Sequence, residues 1–242
     1  MNPGCIGSKK IEIMEVEDFK NGQVLLIDKP LNWTSFQVVN KLRWAIRMRF
    51  GLKKIKVGHA GTLDPLATGL LVICTGKMTK SISELQAQSK EYTGTIRLGT
   101  TTPSYDLETE IDQTWPLGHI TDDMILDAAK HFTGTIEQSP PIYSAVKQEG
   151  ERLYEKARRG EKVEIKTRVV EIHSFQITRI QMPEVDFRVS CSKGTYIRSL
   201  AYDFGRHLHS GAHLTALCRT KSGDFELSQA ESIESFLKRL EE

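Results

Sequence analysis

The stretch GHAGTLDPLATGLL, Gly58 to Leu71, decides how the rest of the chain is read. It holds one acid, Asp64, placed after Gly-Thr-Leu and before Pro65. Such a segment reads as a turn, because Asp bonds readily to nearby backbone and Pro fixes a turn dihedral. The turn runs into LLVICTG, a continuous apolar run typical of a covered strand. From Lys29 to Ser83 there is no other Asp or Glu, against ten Lys and Arg. A lone carboxylate among cations is available as a nucleophile or charge stabiliser, so a chemical reading of Asp64 stands beside the turn.

Upstream, Val24 to Ile27 reads as a buried strand stopped by Pro30. WTSFQVVNKLRWAIRMRF then predicts a helix capped by Thr34 or Ser35, with Val39, Leu42, Ile46 and Phe50 on one face and Arg43 and Arg47 on another. Downstream, KMTKSISELQ predicts a helix start. In KEYTGTIRLG the period changes to two and places Tyr92, Ile96 and Leu98 on one side of a strand. TDDMILDAAKHFTG is an amphipathic helix between a Thr cap and Gly134. Strand-like runs follow from Val163 to Cys191, then a helix in GTYIRSLAYDFGRHL, a strand in GAHLTALCRT and a closing helix in SQAESIESFLKRLEE. Adjacent strands without regular strand–helix alternation predict an α+β domain with a mixed, largely antiparallel central sheet flanked by helices and loops.

The composition is that of a globular protein: 242 residues, 39% apolar, net charge +2. No apolar stretch of about 18 residues exists to span a bilayer, and the N-terminus lacks a secretory apolar region, so a cytoplasmic protein without membrane contact is expected. Cys5, Cys74, Cys191 and Cys218 form no CxxC pair, which argues against a zinc ribbon or dithiol site. CTGKMTKS fails as a phosphate-binding P-loop, with Leu71 at the first glycine position and Met78 where the magnesium ligand belongs. His207, His209 and His213 match no common metal spacing, and no metal is expected.

The positive charge is concentrated. Arg43, Arg47, Lys53, Lys54 and Lys56, with Trp44 and Phe50 among them, have no alternating acids, a pattern that favours a phosphate-backbone footprint over a solvated helix face. A second basic group, EKARRGEKVEIKTR, is diluted by glutamates and reads as solvated surface. His59 shares the glycine-rich segment of Asp64, where backbone approaches a substrate closely, although a structural histidine is the alternative. Tyr196 and Arg198, in KGTYIRSL, stand at a helix start, Arg198 either exposed or a counter-ion for a distant carboxylate.

In order, LLIDKPLNWTSF, VGHAGTLDPLATGLLVICTGKMTK, SKEYTGTIRLGTTTPSYDLE, QSPPIYSAVKQEGERLYEKARRG, CSKGTYIRSLAYDFG and GAHLTALCRTKSGDF resemble the tRNA pseudouridine-55 synthases of bacteria, from about Val24 to Phe225. The Gly-Thr-Leu-Asp-Pro-Leu-Ala-Thr-Gly segment is the most specific mark. The resemblance implies a pseudouridine synthase fold and an isomerase that converts uridine 55 of the tRNA T-arm loop into its C-glycoside by base flipping. It implies that Asp64 is the catalytic aspartate, that Tyr92 stacks on the target base, and that Tyr196 and Leu217 line its pocket. It also implies that Arg198 pairs with Asp64 and that His59 touches the RNA. An isomerisation transfers nothing to a second substrate, so no cofactor is expected, and the partner is tRNA, bound by a monomer without a protein partner.

The implied division is an extension over 1–21, a catalytic domain over 22–227 and a short C-terminal helix over 228–242, without the usual C-terminal RNA-binding domain. Asn32 stands where the family often has Gly. Two other readings remain: a guide-RNA-dependent synthase of the archaeal and eukaryotic type, and an RNA-binding protein or tRNA folding chaperone. PLATGLL favours the stand-alone bacterial type over the first, and joint retention of Asp64, Tyr92, Tyr196 and Arg198 argues against the second.

Overall fold

A computed structural model describes residues 15–141, 143, 147–148, 151–152 and 166–242. The first fourteen residues, most of the Pro-Pro-Ile-Tyr-Ser-Ala mark beyond its prolines, and the basic group up to Ile165 lie outside the described residues.

The strands are β1 (Val24–Lys29), β2 (Val57–His59), β3 (Ala67–Thr75), β4 (Lys90–Leu98), β5 (Thr100–Thr101), β6 (Gln113–Thr114), β7 (Gly134–Gln138), β8 (Lys147–Gln148), β9 (Glu151–Arg152), β10 (Arg168–Gln181), β11 (Glu184–Cys191), β12 (Ala212–Ser222) and β13 (Phe225–Glu226). The helices are α1 (Val16–Asn21), α2 (Ser35–Arg49), α3 (Ile82–Ala87), α4 (Asp122–His131), α5 (Ile197–His207) and α6 (Ile233–Glu241). One sheet runs β1-β3-β12-β4-β11-β10-β7, with β2 beside β3 and β13 beside β12. Its pairings are antiparallel except that of β3 with β12. This is the mixed, largely antiparallel α+β sheet expected from adjacent strands without regular strand–helix alternation.

Local chemistry explains the elements around Asp64. Thr34 caps α2: its Oγ1 accepts from the Gln37 amide at 3.1 Å while Gln37 Oε1 accepts from the Thr34 amide at 2.8 Å, a reciprocal box that satisfies two end groups. Val38, Val39, Leu42, Ala45 and Ile46 form the buried face of that helix, each aliphatic side chain contributing roughly 1.5–3 kcal/mol on full burial. Gly69, at φ +95°, lies in the parallel junction, where a Cβ would sit 2.5 Å from the Arg219 carbonyl oxygen. No other residue allows β3 and β12 to approach so closely.

Among the described residues a small hydrophobic cluster around Ala60, Leu70 and Val72 and two large ones form the core. One gathers α4 and α5 on strands β4, β10, β11 and β12, with Ile125, Phe187 and Phe204 at its centre. The other gathers α2 and α6 on β1 and β3, with Leu42, Ile73 and Phe236. Tyr92 and Leu217 pack against both clusters and mark their seam. The short helix α1 docks through Phe19, fully buried and 5.7 Å from the ring of Phe50. No helix among the described residues is long and apolar enough to cross a membrane.

Candidate active site

Asp64 stands on the loop from β2 to β3, and that loop is tied down from three directions. Ser35, at the start of α2, donates its hydroxyl to the Leu63 carbonyl at 3.0 Å and accepts from the Leu63 amide at 2.8 Å. The fully buried Lys29 donates Nζ to the carbonyls of Trp33 (2.6 Å), Pro30 (3.0 Å) and Pro65 (3.4 Å). Arg219, 1% exposed, reaches the carbonyls of Leu70 (2.8 Å), Gly61 (3.1 Å) and Thr62 (3.5 Å). The Asn32 amide also donates to Pro65 at 2.9 Å, from a backbone at φ 65°. That left-handed conformation accounts for Asn at a position where Gly is common, since Asn tolerates it best after Gly. The Ala67 amide closes the turn on the Asp64 carbonyl at 3.1 Å. Asp64 is thus a turn residue and still leaves its carboxylate free to face outward, 38% exposed.

Arg198 comes to it from the first turn of α5. Its Nε lies 2.9 Å from Asp64 Oδ2 and 3.6 Å from Asp106 Oδ2, with the side chain only 5% exposed. The Nε–H is not aimed at an acceptor among the described residues, so its pairing with Asp64 is Coulombic rather than a linear hydrogen bond. The terminal nitrogens are fixed instead by the carbonyls of Ser104 at 3.1 Å and Tyr143 at 3.0 Å. Of the two readings of Arg198, the buried counter-ion is therefore the one the structure has.

These residues border a cleft of about 540 Å³ whose lining includes Asp64, Tyr92, Tyr196, Arg198, Leu217 and Arg219, a size suited to a small ligand or an extruded nucleoside. The sheet register explains their convergence: Leu217 on β12 lies between Ala67 on β3 and Gly94 on β4, while Arg219 pairs with Tyr92. Burial pushes the Tyr92 phenol above its ordinary pKa, an effect the Arg219 charge partly offsets. Burial also lowers Lys29 to about 8, with the Asp64 charge opposing that shift. At the cleft wall Lys90 donates to the carbonyls of Leu85, Gln86 and Gln88 at the end of α3, and burial lowers it to about 8.

Other expected residues sit elsewhere. His59 is on β2, paired with Ile73, and is outside the cleft lining. Its buried Nδ1 has no hydrogen-bond partner within bonding geometry among the described residues, and burial followed by the Arg219 charge lowers its pKa, opposed by the Gly61 backbone. Arg47, Lys53, Lys54 and Lys56 are exposed, while Arg43 is half-buried and bonded to Asn40. Lys54 and Lys56 border a second hollow, about 390 Å³, together with Lys20, Lys77 and Lys80. The two lysines of the failed P-loop segment thus join the basic face. His213 is buried and bonded to the Thr100 carbonyl at 3.0 Å, and His207 stacks on His131. Among the described residues no three potential ligands converge to hold a metal.

Asp106, Lys29 and Arg219 are site residues that sequence reasoning did not single out. Their sequence contexts offered little signal: Lys29 simply follows Asp28, and Asp106 lies inside a resembling segment.

Residues 47–197 match the family described as TruB family pseudouridylate synthase (N terminal domain). A tRNA pseudouridine synthase B of Flavobacterium johnsoniae is 62% identical over 229 residues, which cover 94% of this chain and 100% of the relative. The namesake from Phocaeicola vulgatus is 55% identical, over 93% of this chain and 96% of its own. Among solved structures, a chain of a Cbf5-Nop10-Gar1 complex superposes with a TM-score of 0.69 at 30% identity, covering 94% of this chain and 57% of that one. This protein belongs to the TruB family of pseudouridylate synthases.

Proposed function

We propose that the protein is a tRNA pseudouridine synthase that isomerises uridine 55 of the T-arm loop, with Asp64 as its nucleophile. The observation that carries this reading is the pairing of Asp64 with the buried Arg198 at 2.9 Å on the wall of a cleft bordered by Tyr92, Tyr196 and Leu217.

The chemistry follows from those side chains. A uridine inside a folded RNA loop hides its glycosidic bond, so it must be everted before an enzyme can reach it. Tyr92 offers the everted base an aromatic face in place of the lost stacking, worth roughly 1–3 kcal/mol, and Leu217 and Tyr196 supply the apolar walls. The Asp64 carboxylate adds to the nucleoside while the bond from ribose C1′ to N1 breaks. The base then turns, C5 bonds to C1′, the bond to Asp64 breaks and gives back the free carboxylate, the C5 proton leaves and N1 takes up a proton. Arg198, held by two carbonyls and by Asp106, fixes the carboxylate against the substrate without spending its own conformational freedom at each turnover.

Arg43, Arg47, Lys53, Lys54 and Lys56, extended by Lys77 and Lys80, would take the phosphates, and His59 would lie beside the RNA. The catalytic domain spans 22–227, with α1 and α6 docked on it, and acts as a cytoplasmic monomer that needs no protein partner. Mapping pseudouridine in total tRNA from cells with and without the protein tests the reading: loss confined to position 55 supports it, and an unchanged position 55 overturns it.

A further inference from the structure

We propose that Gln138, the last residue of β7, is a positioning residue of this centre: its buried carboxamide clasps the main chain of Tyr196 and thereby sets both the Tyr196 ring and the helix turn that carries Arg198. The proposal rests on the functional reading above and adds a residue that lies outside the cleft lining.

Gln138 is 1% exposed, a placement that a polar side chain tolerates only when both ends of its amide are satisfied. Both ends are spent on one residue. Oε1 accepts from the Tyr196 amide at 2.7 Å, and Nε2 donates to the Tyr196 carbonyl at 3.0 Å. Tyr196 is the N-cap of α5, in an extended conformation, and its side chain makes no capping hydrogen bond. Ser, Thr, Asp or Asn usually fills such a position because their short oxygens anchor the first turn. With a tyrosine there, anchorage has to come from outside the helix, and Gln138 provides it. Next along the chain, the Ser139 carbonyl accepts from the Ser199 hydroxyl at 2.7 Å, a third tie between the end of β7 and the first turn of α5.

The ring is held as well. Arg168 is the cross-strand partner of Gln138 on β10, and its guanidinium carbon lies 4.9 Å from the centre of the Tyr196 ring. Its Nη1 also reaches the Gly194 carbonyl at 3.4 Å. One register pair therefore fixes the backbone of Tyr196 through one member and a ring face through the other. Arg198 follows two residues later, so a displaced Tyr196 main chain moves the counter-ion of Asp64 as well.

The test uses the full chain with Gln138→Leu, which removes both hydrogen bonds at similar volume, and Gln138→Glu, which keeps the shape and the acceptor for the Tyr196 amide. Near-ultraviolet circular dichroism checks the fold. Fluorescence anisotropy gives the affinity for a T-arm stem-loop RNA, and single-turnover kinetics at saturating protein give the rate of pseudouridine formation. The expected result is a folded protein with RNA affinity within about threefold of the unsubstituted chain and a saturated rate lowered at least about tenfold, as misplaced reacting groups require. An undiminished saturated rate in either folded variant overturns the proposal, as does a loss seen only as weaker RNA binding. If Gln138→Leu does not fold, Gln138→Glu decides. Absence of turnover in the unsubstituted chain would instead reject the functional reading, and this proposal with it.

Discussion

The guanidinium of Arg198 meets the Asp64 carboxylate at 2.9 Å from the first turn of α5. A helix N-terminus disfavours a cation, because unsatisfied amide groups give that end partial positive charge. The placement is maintained by two acids, Asp64 and Asp106, and by two carbonyl acceptors. A position that opposes the helix dipole and is then stabilised by four separate partners is built for the site, not for the helix.

Asp64→Asn removes the anionic oxygen and keeps the shape. It should abolish pseudouridine formation on a T-arm stem-loop, with less than about 0.1% of turnover left, while RNA affinity stays within a few-fold because phosphate contacts dominate binding. Full turnover in the variant, measured under saturating conditions, would sink the mechanism.

Arg198→Lys keeps the charge but not the fork. A single ammonium cannot reach the Ser104 and Tyr143 carbonyls and both acids together. Turnover should fall about 100-fold with KM within about threefold, since the lost interaction orients the nucleophile rather than the RNA. A change confined to KM would place Arg198 in RNA binding instead.

Tyr92 offers two functions, a ring and a hydroxyl beside Arg219, and two substitutions separate them. Tyr92→Ala should lower kcat/KM by about 10- to 100-fold, the loss expected for a base–aromatic stack, whereas Tyr92→Phe should keep turnover within about tenfold. If both fall equally, the hydroxyl is the essential group and stacking is not.

How far the sequence reaches is seen in particular residues. Asp64 could be singled out because its context is local: a turn signal, a following apolar run and a stretch without other acids. The faces of α2 and β11 could be read from their periods: Val39, Leu42 and Ile46, and Val185, Phe187, Val189 and Cys191, are buried, while Phe50, the C-cap of α2, is only half-buried and Val38 joins the buried face unannounced. Asp106 and Arg219 could not be read in this way, because their roles arise from approach across the β12 register and from loops far apart in the chain. The basic surroundings of Asp64 in sequence also differ from those in space. Within the stretch from Lys29 to Ser83 the charge of the buried Lys29 acts on Asp64, whereas the ion-pair partner of Asp64 comes from far outside that stretch, Arg198 on α5. A six-residue helix such as α1 is too short to reveal itself by period, and its docking depends on the single ring of Phe19. The strand-like runs before Cys191 resolve into two long strands, β10 and β11, with shifts of register that a strict alternation does not anticipate.

Lys29→Met tests the floor under the Asp64 loop. Three carbonyls lose a buried donor, so stability should drop by roughly 2–4 kcal/mol in urea unfolding at neutral pH. The effect should depend on pH with a definite sign. Burial holds the folded-state pKa of Lys29 at about 8, below the ordinary value of 10.5. Between those two values the unfolded chain binds the extra proton, so the stability of the unsubstituted protein rises with pH there relative to the variant. The gap between the two proteins should widen from about pH 8 towards 10.5 and be flat below it. A gap that narrows over that window would show that Lys29 gains, rather than loses, affinity for its proton on folding.

The basic face makes a prediction about salt. Each phosphate neutralised by a Lys or Arg releases counter-ions, so log affinity falls with log salt by about 0.7–0.9 per contact. Lys56→Gln with Lys80→Gln alters the hollow shared by Lys20, Lys54 and Lys77, whereas Arg43→Gln with Arg47→Gln alters the outer face of α2. If both surfaces follow the RNA backbone, the lysine pair should flatten the slope by about 1.4–1.8, the helix pair should flatten it too, and both should leave the saturated rate nearly unchanged. Arg47 is exposed and its Nε spends one hydrogen bond on the Leu52 carbonyl at 3.3 Å, so its remaining donors are available to a phosphate. Arg43 is half-buried and bonded to Asn40, and the helix pair should therefore flatten the slope less than the lysine pair. Equal slopes for the helix variant and the unsubstituted protein would make α2 a solvated face and confine the footprint to the lysines at the end of β3.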